Sequence, residues 1–173
     1  DLDGSVLHRD TFKFDQIKDY IKKLINSGIH IIPNSSTTES VIIEFNQDLG
    51  ENLAYISENG SVINNLNLLN SNFPNKIILS REKEELVEIF KNNVPENLQS
   101  KCKFISNLNK KDQINIFGLS ETKLKNALNR KYTEPFLFEG SKSEKKDLTK
   151  ILKENSLTIQ EGGRVINLCD NVN

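Results

Sequence analysis

Residues 14–57 read FDQIKDYIKKLINSGIHIIPNSSTTESVIIEFNQDLGENLAYIS, and the periodicity of this stretch decides the fold. Ile17, Tyr20, Ile21, Leu24 and Ile25 recur at helical spacing with lysines on the other side, and Gly28 follows where a helix can end in a left-handed turn. The spacing predicts an amphipathic helix over 14–27. Ile29-His30-Ile31-Ile32 is a short apolar run stopped by Pro33 and Asn34, and it predicts a buried strand. Glu39 then opens a second helix that turns Val41, Ile42, Phe45 and Leu49 inward and ends near Gly50, and 53–57 predicts another strand. Strands alternating with helices in this way argue for an α/β fold with a parallel sheet and right-handed crossovers.

Beyond Glu58-Asn59-Gly60 the pattern changes. Ser61-Val62-Ile63 predicts a returning strand, and the Asn-rich stretch 64–75 reads as a linker into a second unit. That unit is expected to carry strands over 76–80, 103–106, 115–117 and 135–138, with helices over 82–92, 120–131 and 143–155. A hairpin pairs 157–160 with 164–168 across Glu161-Gly162-Gly163. The expected division is a core over 1–70, an α+β unit over 71–168, and a return toward the core over 169–173. No internal repeat is present, and the asparagine richness reads as compositional bias.

The chain has 173 residues, 36% of them hydrophobic, which suffices for one moderate core or two small ones. Lys and Arg number 23 against 24 Asp and Glu, a net charge of -1, so no broad basic footprint for nucleic acid exists and no such partner is expected. No apolar run is long enough to suggest a membrane span. Cys102 and Cys169 are far apart in sequence with no neighbouring histidine pair, which indicates neither a disulfide framework nor zinc. A reducing, cytoplasmic setting is the expectation. An aspartate at a strand's carboxyl end needs an apolar strand before it, and 164–169 reads as a strand with no closing helix after it. Both ends are therefore expected to lie inside a natural domain.

Asp1-Leu2-Asp3-Gly4-Ser5 carries the most chemistry. If Asp1 ends a parallel strand, period-two geometry sends Asp1 and Asp3 to one side, beyond the carboxyl end where α/β folds bind ligands. There Mg²⁺ could bridge them to a phosphate, with one aspartate attacking phosphorus and the other moving the proton. The pentad taken alone reads equally as an acidic turn. Ser35 follows a strand at a place where its hydroxyl and the next backbone amides could hold a phosphate, yet Ser35 and Thr38 also suit a helix cap. Asn59-Gly60 is ordinarily a tight turn. Arg130, Glu134 and Arg164 are candidates for a polar, anionic ligand, since guanidinium groups grip carboxylate and phosphate with two hydrogen bonds. His8 and His30 lack partners at metal spacing, and exposure or packing explains them better.

In combination these segments resemble a family. Asp-Leu-Asp-Gly-Ser at 1–5, Pro-Asn-Ser-Ser-Thr-Thr-Glu at 33–39, Ser-Glu-Asn-Gly-Ser-Val-Ile at 57–63, Tyr-Thr-Glu-Pro-Phe at 132–136 and Gly-Gly-Arg at 162–164 occur in order. The chain resembles the haloacid-dehalogenase-like phosphatases of class II, and within them the mannosyl-3-phosphoglycerate phosphatase family. The resemblance implies a Rossmann-like α/β core with an inserted α+β cap. It implies Asp1 as phosphoaspartyl nucleophile, Asp3 as general acid and base, and Ser35 as the phosphate-holding hydroxyl. It makes Mg²⁺ the cofactor, bound through the Asp1 carboxylate and the Asp3 carbonyl. Gly4, Ser36, Thr37 and Asn59 would line the substrate site, and Arg130, Glu134, Gly163 and Arg164 would face the sugar and glycerate parts.

The sequence departs from the family pattern in three places. Ser5 replaces the usual Thr and keeps the hydroxyl. Thr37 stands where the family has Lys, which removes a positive charge near the substrate. The phosphate-neutralising lysine and acidic metal loop of the family would follow Asn173, so the 173 residues by themselves are expected to be nearly inactive, one charge-stabilising group being worth on the order of a hundredfold to a thousandfold in rate. The expected substrate is a mannosyl- or glucosyl-3-phosphoglycerate. The alternatives are a sucrose- or trehalose-phosphate phosphatase and a non-catalytic sugar-phosphate binder.

Overall fold

The structure, a computed structural model, describes residues 1–2, 4–8 and 13–172. It is a mixed α/β fold, as the sequence implies, and divides into two compact units, Asp1–Leu79 and Ser80–Asn173.

The first unit opens with helix α1 (Asp15–Asn26), which buries Ile21 and packs Ile17 and Ile25 against a core of Leu2, Leu7, Phe14, Ile42, Phe45, Leu49, Leu53 and Tyr55. Tyr20 falls off the edge of that stripe and stands 63% exposed, a correction to its inward assignment. Gly28 at φ +82 closes the helix: its N–H donates to the Ile25 carbonyl and the Ile29 N–H to the Leu24 carbonyl, which satisfies two otherwise orphaned acceptors. Helix α2 (Glu39–Leu49) starts at Thr38, whose side chain accepts the Val41 N–H, and ends at Gly50 with φ +78. The rings of Phe14 and Phe45 meet at 4.9 Å.

The expected strand over 29–32 is not formed. The segment has one parallel bridge, Asn34 to Ile56, built by the Ile56 N–H donating to the Pro33 carbonyl and the Ser35 N–H to the Ile56 carbonyl. Pro33 has no N–H to extend the ladder, and Ile29 and Ile32 are exposed. The regular sheet of this unit is antiparallel, β1 (Tyr55–Ser57), β2 (Val62–Asn64) and β3 (Lys76–Ile78) in that order. Residues 76–78, read from sequence as part of a second unit, thus complete the first sheet by pairing Ile78 with Val62.

The second unit begins with α3 (Lys83–Asn93) and the short α4 (Glu96–Gln99), followed by β4 (Cys102–Phe104). Next come α5 (Lys110–Phe117), α6 (Glu121–Leu128), β5 (Thr133–Phe138), α7 (Lys142–Glu154), β6 (Leu157–Glu161) and β7 (Ile166–Asp170). The four strands form an antiparallel sheet in the order β4-β5-β7-β6. Leu86 and Phe90 from α3 and Leu148 and Leu152 from α7 bury one face with Phe104, Phe136, Leu157 and Leu168. Ile105, Phe117, Leu124 and Val165 make a separate cluster beneath α5 and α6.

Residues 115–117, expected as a strand, are the last turn of α5. The Asn109 side chain accepts the Asp112 N–H at its start, Gly118 at φ +63 ends it, and these two caps override the local apolar alternation. Helix α7 carries a full capping box, Ser141 with Glu144. No helix among the described residues is long and apolar enough to cross a membrane.

Candidate active site

Asp1 is exposed, and its Oδ1 accepts the N–H of Leu2 at 2.8 Å. Leu2 is buried in the core, so the aspartate stands at the point where the chain leaves it. The carbonyl of Leu2 accepts the N–H groups of Val6 and Leu7, which winds 4–7 into a tight turn. Gly4 holds φ +75 in that turn, a conformation that a side chain would strain. Asp3 lies outside the described residues.

Ser35 follows the bridge at Asn34 and is 3% exposed. Its Oγ accepts the Thr37 N–H at 3.3 Å, which leaves the hydroxyl proton to donate. Ser36 and Thr37 continue the loop into the Thr38 cap of α2, so hydroxyl-bearing residues gather at a helix N-terminus.

Two backbone hydrogen bonds tie this loop to the next one: the Glu58 N–H donates to the Thr37 carbonyl at 2.8 Å and the Asn59 N–H to the Ser35 carbonyl at 3.3 Å. The structure therefore brings Ser35, Thr37 and Asn59 together, although 20 or more positions separate the loops in sequence. Glu58, Asn59 and Gly60 all have positive φ, at 49°, 59° and 90°. Such a run costs energy unless its surroundings enforce it, and asparagine and glycine lower the cost. The side-chain nitrogen of Asn59 is buried and has no hydrogen-bond partner, as is the hydroxyl of Ser57. A buried donor without an acceptor is a place where a ligand oxygen gains most.

Behind the loop, Glu39 accepts the Tyr55 hydroxyl at 3.2 Å and pairs with Lys76 at 3.4 Å. Burial and then the Glu39 charge push the Tyr55 hydroxyl well above its ordinary range, so it stays a neutral donor.

In the second unit, Arg130 donates from Nη1 to the Thr133 hydroxyl at 2.8 Å, at the start of β5. Glu134 is 3% exposed and lies on the sheet face that α3 and α7 cover. Its Oε1 accepts the Ser106 N–H at 3.4 Å and its Oε2 is 3.8 Å from Lys83 Nζ. Gly163 and Arg164 are exposed in the turn between β6 and β7. Thr133 faces Cys169 and Phe136 faces Ile166 in the ladder, so Arg130 and Arg164 sit at opposite ends of the β5–β7 pair. At roughly 3.3 Å per residue, their backbones are more than about 15 Å apart along the strands.

Sequence reasoning did not single out Asn167, which is 2% exposed with an unpartnered side-chain oxygen, nor Lys83 beside Glu134. A polar residue inside a strand of alternating character carries no signal in one sequence. Among the described residues no group of three or more His, Cys, Asp or Glu could hold a metal. The Asp1 carboxylate is the kind of hard oxygen that Mg²⁺ prefers.

Known proteins bear on these features. A phosphatase of Persephonella marina (strain DSM 14350 / EX-H1), named glucosyl-3-phosphoglycerate/mannosyl-3-phosphoglycerate phosphatase, is 24% identical over 178 residues, covering 97% of this chain and 64% of that protein. The chain thus spans less than two thirds of that relative's length. Among solved structures, a haloacid dehalogenase-like hydrolase from B. subtilis has a TM-score of 0.63 at 12% identity, covering 98% of this chain and 71% of that one. Thermoplasma acidophilum 0175 has a TM-score of 0.61 at 13% identity, covering 98% and 61%. These two likenesses are likenesses of fold. The model of the haloacid dehalogenase-like hydrolases matches residues 1–166, nearly the whole chain, and the chain belongs to that family.

Proposed function

We propose that this chain carries the nucleophile and phosphate-binding loops of a phosphomonoesterase whose substrate is a glucosyl- or mannosyl-3-phosphoglycerate. The observation that supports it most is the joining of the two loops: the Asn59 N–H reaches the Ser35 carbonyl, with a buried serine hydroxyl on one loop and a buried asparagine side-chain nitrogen without a partner on the other. That is a donor set with no internal acceptor, suited to phosphoryl oxygens. The name of the P. marina relative supports the substrate class.

In this reading an oxygen of the Asp1 carboxylate attacks phosphorus, and the bond from phosphorus to the organic oxygen breaks. Asp3 gives that oxygen its proton. Asp3 then takes a proton from a water that attacks the phosphoaspartyl group, which releases inorganic phosphate and restores the Asp1 carboxylate. The Ser35 hydroxyl and the Asn59 amide hold the equatorial oxygens throughout, and Gly4, Ser36 and Thr37 shape the loop around them. Asp1 and Asp3 would hold Mg²⁺, which when bound neutralises charge on the transferred group. Arg130, Glu134, Gly163 and Arg164 belong to the second unit, Ser80–Asn173, which would recognise the organic part as an inserted cap.

Phosphate release by the full-length protein with Mg²⁺ tests this on glucosyl- and mannosyl-3-phosphoglycerate, sucrose 6-phosphate and trehalose 6-phosphate. The highest kcat/KM is expected on a glycerate-bearing substrate. A preference for the disaccharide phosphates overturns the substrate assignment, and no phosphate release from any of them overturns the reaction.

A further inference from the structure

We infer that Lys76 is a positioning residue of the phosphate site: it holds and neutralises the Glu39 carboxylate, which would otherwise compete with the phosphoryl group. The inference rests on the proposed reaction and deepens it. It starts from charge. The two joined loops, 33–39 and 57–61, contain two carboxylates, Glu39 and Glu58, and no lysine, arginine or histidine. Glu39 is the one in the first turn of α2, directly after the Thr38 cap. Two peptide steps of about 3.8 Å keep its Cα within about 7.6 Å of the Thr37 Cα. The positive end of a helix attracts anions, and a carboxylate in the first turn is favoured there as a phosphate is. Left to itself, Glu39 is a rival for that position and a source of repulsion against a phosphoryl group.

The first sheet removes that rivalry. Tyr55 of β1, Asn64 of β2 and Lys76 of β3 are register partners, so their side chains form one row on the face that α2 covers. Glu39 reaches both ends of the row: Oε1 accepts the Tyr55 hydroxyl at 3.2 Å and Oε2 the Lys76 ammonium at 3.4 Å. Asn64, between them and buried, has a side-chain nitrogen without a partner, which adds a donor to the middle of the row. Both carboxylate oxygens are thus engaged by the sheet rather than by the helix end. Of the three row members only Lys76 carries charge, since burial and the Glu39 carboxylate keep the Tyr55 hydroxyl protonated and the Asn64 amide is neutral. Tyr55 fixes the direction of the carboxylate, and Lys76 cancels its charge. The two ionic side chains are 33% and 32% exposed, so water screens part of the effect and its size on a ligand is moderate.

The test measures the Kd of inorganic phosphate by titration calorimetry with Mg²⁺, and kcat and KM for the fastest substrate of the panel above. The full-length proteins compared are wild type, Lys76→Met and the double variant Lys76→Met with Glu39→Gln. Methionine keeps the stem of lysine and removes its charge. An unpaired Glu39 repels phosphate, substrate and transition state alike, so Lys76→Met is expected to raise Kd and KM about fivefold with kcat within about twofold. Glu39→Gln then removes the anion and keeps an acceptor for Tyr55, and is expected to return both constants to within about twofold of wild type. Glutamine cannot rebuild an ion pair with methionine, so a merely structural role of Lys76 gives no such rescue. Constants unchanged in Lys76→Met, or raised constants that the second substitution does not lower, overturn the inference. If Lys76→Met does not fold, Lys76→Gln is read the same way. A best substrate without glycerate refutes the proposed substrate only. Phosphate binding without turnover of any substrate refutes the reaction, while the Kd values still decide the role of Lys76; a wild type that neither binds nor releases phosphate overturns both.

Discussion

Arg81 and Asp170, 89 positions apart, form a three-point clamp: Arg81 Nε donates to Oδ2 at 3.1 Å, Nη2 to Oδ1 at 2.7 Å, and the Arg81 backbone N–H to Oδ2 at 2.8 Å. The same Nη2 donates to the Ser156 carbonyl at 2.9 Å, where the chain turns through φ +57 between α7 and β6. One guanidinium thus fastens the start of the second unit to the end of β7 and to the α7–β6 turn. The Asp170 side chain is only 10% exposed, so the carboxylate depends on this partner.

Arg81→Ala is therefore expected to destabilise the second unit by about 2–3 kcal/mol, because it leaves a largely buried carboxylate with two lost charge-assisted bonds. Arg81→Lys is expected to recover less than half of that, since one ammonium cannot reproduce the planar fork. Urea unfolding of the two variants against wild type measures both. A loss under 0.5 kcal/mol for Arg81→Ala, within the ordinary range of a surface substitution, would contradict the clamp.

The same carboxylate sets an acid dependence. Burial pushes Asp170 upward, but the hydrogen bonds and charge of Arg81 outweigh it and hold the group below its ordinary 3.8. A depressed native value means that the unfolded chain binds the proton more readily, so the contribution is full above pH 3.8 and disappears as the pH falls below it. The stability difference between wild type and Asp170→Asn should stay constant from pH 7 to about 5 and shrink on further acidification. Melting temperatures of both proteins across that range check this; a difference that grows in acid would reverse the sign.

Ser35→Ala separates structure from chemistry. The hydroxyl accepts one neutral hydrogen bond in the fold, from the Thr37 N–H, so its removal is expected to cost about 1 kcal/mol of stability. If the hydroxyl also donates to a phosphoryl oxygen, the full-length protein loses roughly a hundredfold to a thousandfold in turnover. Thermal unfolding and phosphate release on one preparation give both numbers, and equal, small effects on the two would leave Ser35 a turn residue only.

These cases mark what can be read from one sequence. Helices α1 and α7 were legible because their signals are local, apolar positions three and four apart with Gly28 after the first, whereas the Ser141–Glu144 capping box that sets the start of α7 was not singled out. The clustering of Ser35 with Asn59 was legible only through motifs, since the hydrogen bond that joins them reaches across helix α2 and strand β1. The run 29–32 misled because a strand needs partners as well as apolar residues, and only Asn34 is bridged. Residues 115–117 misled because the deciding caps, Asn109 and Gly118, lie at the far ends of the helix. Arg81 with Asp170, and the open oxygen of Asn167, depend on which strands become neighbours, which local pattern does not encode.

Asp1→Asn is the sharpest test of the reaction. The carboxylate is exposed and, among the described residues, its hydrogen bond is from the N–H of Leu2 next to it, a contact that the amide oxygen of asparagine can keep, so the fold should melt within about 0.5 kcal/mol of wild type. An amide, however, is no nucleophile toward phosphorus and lacks the charge to hold a divalent cation. Phosphate release by the full-length protein is expected to fall by more than about a thousandfold, and no phosphorylated protein should form on brief exposure to substrate, because the acceptor oxygen of the covalent step is gone. Wild type quenched in acid should carry one labile acyl phosphate per chain on Asp1. If Asp1→Asn keeps a tenth or more of wild-type turnover, or if the acyl phosphate maps to another residue, Asp1 is not the nucleophile and the pentad is the acidic turn that its composition equally allows.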